Sequence, residues 1–200
     1  MKSSNNPSNK RNSNFKDYIR IARLDHWIKN LFILPGVFSA MVITKSKWED
    51  FNLGLVILAL LATSFVASAN YVINEWLDAK FDKFHPVKKN RPVVVADLKV
   101  QYVLVEYAVF AIAGIVLSCF INKVFAIMAL WLLIMGIIYN VKPFRTKDVP
   151  FIDVLSESIN NMIRLLMGWF VIASTTIILF ANTFSLNTDF KAKRRTFLFN

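Results

Sequence analysis

Four oxygen-bearing side chains stand together at the end of an apolar run. The run from Phe51 to Asn74 carries no charge, and Glu75, Asp78 and Asp82 follow it directly. Carboxylates at spacings of three and four residues lie on one face of a helix. Carboxylate and amide oxygens are the ligands that Mg²⁺ prefers. The spacing therefore predicts a site for a divalent cation, with Glu75, Asp78 and Asp82 as candidate ligands.

Basic side chains come next in the sequence. Lys88, Lys89 and Arg91 follow Asp82 before the next apolar segment begins. Ammonium and guanidinium groups can hold phosphate oxygens that a metal ion also bridges, a combination typical of sites for phosphorylated substrates. The alternative is that these acids and bases form an ordinary solvated loop at the end of a membrane span.

A second basic loop follows a later apolar run. It starts at Tyr139 and contains Lys142, Arg145 and Lys147. Alone, such a loop would more often anchor a membrane protein by its positive charge than bind a substrate. On the same membrane face as the acidic motif, it becomes a candidate second half of a phosphate pocket.

Four polar residues share one face of a further helix. Glu157, Asn160, Asn161 and Arg164 are spaced i, i+3, i+4 and i+7. Polar groups are costly when they face lipid and usually face a bundle interior or a watery cavity. We expect them to form a cavity wall, and the alternative is a purely structural ion pair between Glu157 and Arg164.

Composition indicates that these motifs belong to an integral membrane protein. Hydrophobic residues make up 56% of the 200 residues and charged residues 18%, and the mean hydropathy is +0.45. These values are too apolar for a typical soluble domain of this length. The net charge of +11 does not indicate a nucleic-acid partner, because the basic residues lie between apolar runs. Anionic lipid headgroups and phosphorylated substrates are the expected partners.

The apolar runs predict an all-α, polytopic transmembrane helix bundle with five or six spans. They lack the alternation of a barrel strand, so helices are the expected form. The charge-free runs are 30–44, 51–74, 107–122, 124–141 and 165–188. Residues 150–188 would reach about 58 Å as one helix, far more than a bilayer core of about 30 Å. A turn near Gly168 to Thr176 would divide this segment into two short spans.

The distribution of Lys and Arg predicts the orientation. Seven basic residues precede position 30, and the segments 75–106 and 142–164 carry six and four, whereas 45–50 carries two and position 123 one. This alternation places the N-terminus and both motif loops in the cytoplasm. Six spans would also return the basic end of the chain to that side.

Three regions are expected along the chain. Residues 1–14 are polar and predict a disordered cytoplasmic tail, residues 15–190 a transmembrane domain, and residues 191–200 a basic tail. The first segment lacks the apolar stretch of a secretory signal. We therefore expect a multi-pass protein of the inner or plasma membrane.

The motifs resemble those of the UbiA superfamily of intramembrane prenyltransferases over roughly residues 20–195. Asn74-Glu75-x-x-Asp78-x-x-x-Asp82 is similar to the first aspartate-rich motif of that family, NDxxDxxxD, with Glu75 where Asp is usual. The segment from Tyr139 to Arg145 resembles its basic loop after the fourth helix.

Two further segments resemble one branch of the family, the polyprenyl-phosphate (decaprenyl-phosphate) phosphoribosyltransferases. Residues 23–30, RLDHWIKN, are similar to the RPxQWxKN entry of that branch to its first helix. Residues 85–92, HPVKKNRP, are similar to its HPxKxxRP continuation. Lys29 lies in the first of these segments, so the resemblance makes it a candidate substrate-binding residue.

The resemblance implies specific roles for these residues. Asn74, Asp78 and Asp82 would hold Mg²⁺, and Lys88 and Arg91 would contact phosphate. The remainder of the expected pocket is Tyr139, Lys142, Arg145 and Asp153, with Asn161 and Arg164 on its polar wall. Among these, Asp78, Asp82 and Asp153 are the expected catalytic residues.

The resemblance also implies a longer protein. Family members generally have nine helices and a second acidic motif after the sixth, whereas this sequence reaches about that point, with Lys193-Arg194-Arg195 and no acid following. The expectation is a C-terminally truncated or split gene product, with another chain as a candidate source of the missing half and weak turnover by this chain alone.

The implied reaction is Mg²⁺-dependent transfer to or from a polyprenyl phosphate or diphosphate. The branch motifs favour 5-phosphoribosyl transfer from phosphoribosyl diphosphate onto a polyprenyl phosphate, and prenyl transfer to an aromatic or other acceptor stays open. A third interpretation is a non-catalytic transporter fragment or partner subunit. A phosphatidyltransferase is disfavoured because no glycine separates the acids between Asn74 and Arg91.

Overall fold

The computed structural model describes residues 10–45 and 51–173, and it shows a bundle of α-helices. In these ranges the helices are α1 (Phe15–Ile21), α2 (Ile33–Thr44), α3 (Leu53–Asp82), α4 (Pro92–Val95), α5 (Val100–Ile121), α6 (Lys123–Asn140) and α7 (residues 150–173). Shorter 3₁₀ helices cover Leu24–Phe32, Lys88–Asn90 and Thr146–Asp148. The prediction of an all-α bundle is confirmed.

Four helical segments of the described chain are long and apolar enough to cross a membrane. They are Phe15–Thr44, Leu53–Asp82, Val100–Ile121 and Lys123–Asn140, and each overlaps one of the first four charge-free runs. The protein is therefore an integral membrane protein. The fifth run, 165–188, is described only as far as residue 173, so the choice between five and six spans stays a prediction.

Helix α3 is the central element of the bundle. In the most apolar stretch of 18 residues in α3, 56% of the residues are buried. The corresponding share for α5 is 17%, so α5 lies at the edge of the bundle. Small side chains on α3, including Ala59, Ala62 and Ala69, are fully buried. Small residues let neighbouring helices approach closely where lipid supplies no hydrophobic driving force. This packing holds the acidic end of α3 against α6.

Two glycines fix the crossing of α2 and α7. A Cβ atom on Gly36 would lie 1.9 Å from the carbonyl oxygen of Leu165, and one on Gly168 would lie 2.0 Å from that of Ile33. The turn predicted near Gly168 to Thr176 is not present in residues 168–173, which continue α7. Gly168 is required for close packing instead, and residues 174–176 of the predicted turn lie outside the described residues.

The N-terminal segment joins the bundle earlier than expected. Strand β1 (Arg11–Asn12) pairs in parallel with β2 (Ala96–Asp97). Arg11 also donates a 2.8 Å hydrogen bond from Nη1 to Oδ2 of Asp17 in the first turn of α1. The prediction of a disordered tail over residues 1–14 is therefore wrong for residues 10–14, and residues 1–9 lie outside the described part.

The three most basic segments meet at one end of the bundle. Strand pairing brings the N-terminal segment beside residues 96–97, and Lys147 of the later loop contacts Asp78 near the end of α3. At the opposite end Asn122 caps α6 by accepting a 2.8 Å hydrogen bond from the amide of Phe125. The same side chain donates to the carbonyl of Phe170 and links α6 to α7. The charge pattern and the fold therefore agree on which loops share a face.

Candidate metal and phosphate site

A polar cavity of about 270 Å³ lies between α3, α6, α7 and the 3₁₀ helix Leu24–Phe32. Its polar lining residues are Lys29, Asn70, Tyr71, Asn74, Tyr139, Asn140, Glu157, Asn160, Asn161 and Arg164. The prediction that one face of α7 forms a cavity wall is confirmed. The fold brings this wall together with the start of the acidic motif and with the Tyr139 loop.

The acids of the motif form two groups. Glu75 and Asp82 share one guanidinium, because Nη1 of Arg91 lies 3.2 Å from Oε1 of Glu75 and 2.7 Å from Oδ2 of Asp82. Arg23 approaches the same Glu75 oxygen at 3.5 Å. Both carboxylates are almost completely buried, so these cations offset a large desolvation cost.

Asp78 faces the other group of cations. Its Oδ1 lies 3.1 Å from Nη2 of Arg145 and 2.6 Å from Nζ of Lys147. Arg145 also contacts Asp148 at 2.9 Å and stacks over the ring of Phe81, with 4.9 Å from its Cζ to the ring centre. The 142–147 loop is thus fastened to the end of α3.

Lys147 is surrounded by side-chain oxygens. Its ammonium group donates hydrogen bonds to Oδ1 of Asn74 at 2.8 Å, of Asp78 at 2.6 Å and of Asn140 at 2.8 Å. Burial lowers the pKa of Lys147, and the hydrogen bond to Asp78 opposes that shift. These contacts show that the three oxygens already bind a cation, and an all-oxygen set of this kind suits Mg²⁺.

The expectation that three carboxylates of α3 share one cation needs correction. Within residues 10–45 and 51–173, no three acidic, histidine or cysteine side chains lie close enough together to hold a metal ion. The reason is that arginines from other segments draw Glu75 and Asp82 away from Asp78. The individual roles of Asn74, Glu75, Asp78 and Asp82 as metal ligands stay predictions.

The candidate phosphate-binding residues do not all face the central cavity. Lys88 and Arg91 line a second cavity of about 590 Å³, beside Arg20, Arg23 and Glu75. Lys142 is exposed and lines neither of these two cavities. The predicted bases are therefore not gathered in one place: Lys29 and Arg164 line the central cavity, whereas Arg145, like Lys142, lines neither of the two.

Asp153 reaches the central cavity through a neighbour. The hydroxyl of Tyr139 donates a 2.6 Å hydrogen bond to Oδ1 of Asp153. Tyr139 itself lines the cavity, and Asp153 does not. The aspartate is placed to orient the tyrosine ring.

Arg164 provides the buried positive charge of the α7 wall. Its Nε donates to Oδ1 of Asn30 at 3.1 Å and its Nη1 to Oδ1 of Asn161 at 3.2 Å. Asn30 in turn donates to Ser64 of α3 at 2.9 Å. The alternative of a direct ion pair with Glu157 is not observed, since no such contact is present among the described residues.

Two amide oxygens of the cavity are buried and have no protein partner in the described chain. They belong to Asn70 and Asn160. A buried acceptor without a partner is costly unless a ligand or water supplies a donor. The cavity is thus equipped to accept hydrogen bonds as well as to hold anionic groups.

Sequence reasoning missed two cations that pair with the acids, and an amide oxygen that accepts a hydrogen bond from one of these cations. Arg23, Asn140 and Lys147 were not singled out individually, although each lies inside a segment that was. Arg23 and Arg145 have positive φ angles of 50° and 29°, an uncommon conformation for residues with a side chain. Such backbone conformations persist where the surrounding structure holds them, often at functional sites. The spacing of residues in the sequence does not reveal these backbone conformations.

Comparison with known proteins assigns the chain to a family. The model of the UbiA prenyltransferase family matches residues 33–190, more than half of the sequence. The chain belongs to the UbiA prenyltransferase family. The match covers the acidic motif, the 142–147 loop and the α7 wall.

Two curated relatives have different names and activities. A decaprenyl-phosphate phosphoribosyltransferase of Corynebacterium glutamicum is 25% identical over 160 residues, which are 75% of this chain and 44% of that protein. A digeranylgeranylglyceryl phosphate synthase of Sulfurisphaera tokodaii is 27% identical over 134 residues, which are 67% of this chain and 45% of that protein. The chain spans less than half the length of either relative.

A solved structure supports the fold. A UbiA homolog from Archaeoglobus fulgidus, bound to GPP and Mg²⁺, superposes with a TM-score of 0.66 at 21% identity. The superposition covers 78% of this chain and 54% of that one. The UbiA-type helix arrangement is therefore present over the part that the two share.

Proposed function

We propose that this chain binds a polyprenyl phosphate or diphosphate with Mg²⁺, as part of a membrane transferase. The observation that carries the proposal is the meeting of three elements around one cavity. Asn74 of α3 and Asn140 of α6 line the cavity and accept hydrogen bonds from Lys147 of the 142–147 loop, which also binds Asp78 just outside the lining. Helix α7 supplies a polar wall with buried Arg164. Acids that bind a metal beside bases that bind phosphate are what a diphosphate substrate requires.

Different residues of the site would bind the metal ion and the phosphate groups of the substrate. Asn74 and Asp78 would hold Mg²⁺, which neutralises the charge of a diphosphate leaving group, while Glu75 and Asp82 stay paired with Arg91. Arg164 and Lys29 lie where they can contact further phosphate oxygens from the opposite wall. Tyr139 lines the same cavity, and Asp153 would fix the orientation of its ring by accepting the hydrogen bond from its hydroxyl.

We further propose that the group transferred is 5-phosphoribosyl and that the acceptor is a polyprenyl phosphate. The polarity of the cavity supports this choice over prenyl transfer to an aromatic acceptor. The unpartnered oxygens of Asn70 and Asn160 suit the hydroxyl groups of a sugar, which an aromatic ring lacks. The name of the Corynebacterium glutamicum relative points to the same reaction.

The proposed location is the inner or plasma membrane, with the N-terminal segment and both motif loops in the cytoplasm. The clustering of these basic segments at one end of the bundle supports this orientation. Phosphoribosyl diphosphate would then enter from the cytoplasmic side.

Ligand binding by the purified chain tests the proposal. We predict that phosphoribosyl diphosphate and a polyprenyl phosphate bind in detergent with Mg²⁺, and that a chelator weakens binding about tenfold or more. Asp78→Asn should cause a similar loss with Mg²⁺ present, because it removes the charge at nearly constant shape. The matched control is Asp97→Asn, a change at an exposed acid of β2 that should leave affinity unchanged.

The measurement is equilibrium dialysis with labelled ligand. Affinities that are equal with and without chelator would refute metal-assisted binding. A labelled prenyl diphosphate that binds tightly where phosphoribosyl diphosphate does not would favour prenyl transfer instead.

A further inference from the structure

Lys147 holds the position that a metal ion would take among the oxygens of the site. Its three acceptors come from two helices, Asn74 and Asp78 on α3 and Asn140 at the end of α6. Only 10% of the Lys147 side chain is exposed. A buried ammonium group with three oxygen acceptors is fully hydrogen-bonded. The arrangement is a complete cation site that the chain itself fills.

Asn140 is built into this position. It is buried, and its Nδ2 donates a 2.9 Å hydrogen bond to the carbonyl of Gly136 one turn earlier. That hydrogen bond fixes the side-chain amide so that Oδ1 faces Lys147. Neither residue spacing nor the family motifs single out this oxygen.

We propose that the oxygens of Asn74, Asp78 and Asn140 form one cation position, which Lys147 fills in the metal-free chain and leaves when Mg²⁺ binds. The proposal rests on the metal use stated in the proposed function. A metal ion cannot coordinate all three oxygens while the ammonium group occupies the position between them, so the two cations compete for that position.

The position of Lys147 makes such an exchange physically simple. The residue lies in the three-residue 3₁₀ helix Thr146–Asp148 and not in a membrane span. A long, flexible side chain in a loop can turn away without moving a helix. Arg145 binds Asp78 independently at 3.1 Å and can keep the loop attached meanwhile. The released ammonium becomes available to a phosphate oxygen, so metal binding prepares the site for its substrate.

Metal affinity of the complete 200-residue chain in detergent is the first test. The probe is Mn²⁺, whose free concentration is read by its paramagnetic resonance. We expect Lys147→Met to bind Mn²⁺ about tenfold more tightly than the unmodified chain, since the competing charge is removed. The control Lys16→Met removes an exposed lysine of α1 and should leave the affinity unchanged. Asn140→Ala should weaken binding because a ligand is lost.

Chemical labelling of the unmodified chain is the second test, and it does not depend on the folding of a variant. Amine acylation followed by mass spectrometry reports the reactivity of each lysine. We expect added Mg²⁺ to raise the labelling of Lys147 severalfold, because its ammonium is released, and to leave that of Lys89 unchanged.

The outcomes separate the two proposals. If the chain binds Mn²⁺ but Lys147→Met binds it no more tightly and Mg²⁺ leaves Lys147 labelling unchanged, then the exchange is refuted and metal use by the site stands. If neither protein binds Mn²⁺, both proposals fall. Weaker Mn²⁺ binding by Lys147→Met would make the lysine a supporting residue of the site and would also overturn the exchange.

Discussion

Arg91 neutralises two carboxylates that lie about two turns apart on α3. The side chains of Glu75 and Asp82 are only 4% and 6% exposed, and the same Nη1 atom lies within 3.2 Å of both. Removing one partner of a buried ion pair leaves an uncompensated charge, which costs far more than the pair contributes. The acidic end of α3 therefore depends on a residue in a different segment.

Substitution of Arg91 tests this dependence. We predict that Arg91→Met lowers the free energy of unfolding by about 3 kcal/mol, because two buried carboxylates lose their main counter-charge. Thermal unfolding in detergent, followed by tryptophan fluorescence, measures the change. Lys89→Met removes a neighbouring exposed charge and should shift stability by less than about 0.5 kcal/mol. Equal effects of the two substitutions would contradict the role given to Arg91.

At the residue scale, the sequence predicted which residues belong to the site better than it predicted which of them contact one another. Helical spacing correctly placed Glu157, Asn161 and Arg164 on one cavity wall. The same spacing suggested that the acids of α3 act as a single group, and it could not show that Arg23 and Arg91 separate them. Periodicity describes one helix, whereas these pairings depend on how distant segments meet.

At the element scale, the α2–α7 crossing is set by two glycines that approach backbone carbonyls. A methyl group on Gly36 or Gly168 would stand about 2 Å from a carbonyl oxygen of the other helix. Backbone atoms cannot move aside as flexible side chains can, so the helices would have to separate. This crossing brings Arg164 within hydrogen-bond distance of Asn30. The position of the polar wall on α7 therefore depends on the crossing.

Alanine substitution measures the importance of the crossing. We predict that Gly36→Ala and Gly168→Ala each lower the free energy of unfolding by about 2 kcal/mol, as overpacking does in other close contacts. Gly54→Ala, in the first turn of α3, is the control, because its nearest neighbour is the side chain of Asn52 at 3.1 Å. Gly54→Ala should leave the free energy of unfolding nearly unchanged, since alanine favours a helix. Similar unfolding temperatures for all three variants would show that the crossing tolerates a methyl group.

The elements themselves were largely predictable because charge-free runs report directly on helices that face lipid. Each of the first four runs lies inside one of the four long apolar segments or extends past its end by at most two residues. The β1–β2 pairing was missed because two-residue strands leave no periodic signal. Gly168 was read as a turn residue, since glycine at a turn and glycine at a helix contact look the same in a sequence.

At the scale of the whole molecule, the basic segments and the loops that contain the candidate site residues lie at the same end of the helix bundle. The acidic motif, the 142–147 loop and β1 meet there, while the α5–α6 connection at Asn122 lies at the other end. The distribution of Lys and Arg predicted the same grouping from topology alone. Orientation in the membrane and access of a soluble phosphorylated substrate are therefore linked through the same basic residues.

Reporter fusions can measure that orientation at successive points of the chain. We predict that a phosphatase active only outside the cytoplasm is inactive when fused after residues 97 and 148 and active after residues 45 and 122, because the basic segments stay inside. A fusion after Asn200 should be inactive if residues 150–188 form two short spans and active if they form one. External activity after residue 97 or 148 would place the acidic motif outside and exclude a cytoplasmic phosphoribosyl donor. A cytoplasmic fluorescent reporter at the same positions should give the opposite pattern, which separates true orientation from poor expression of a fusion.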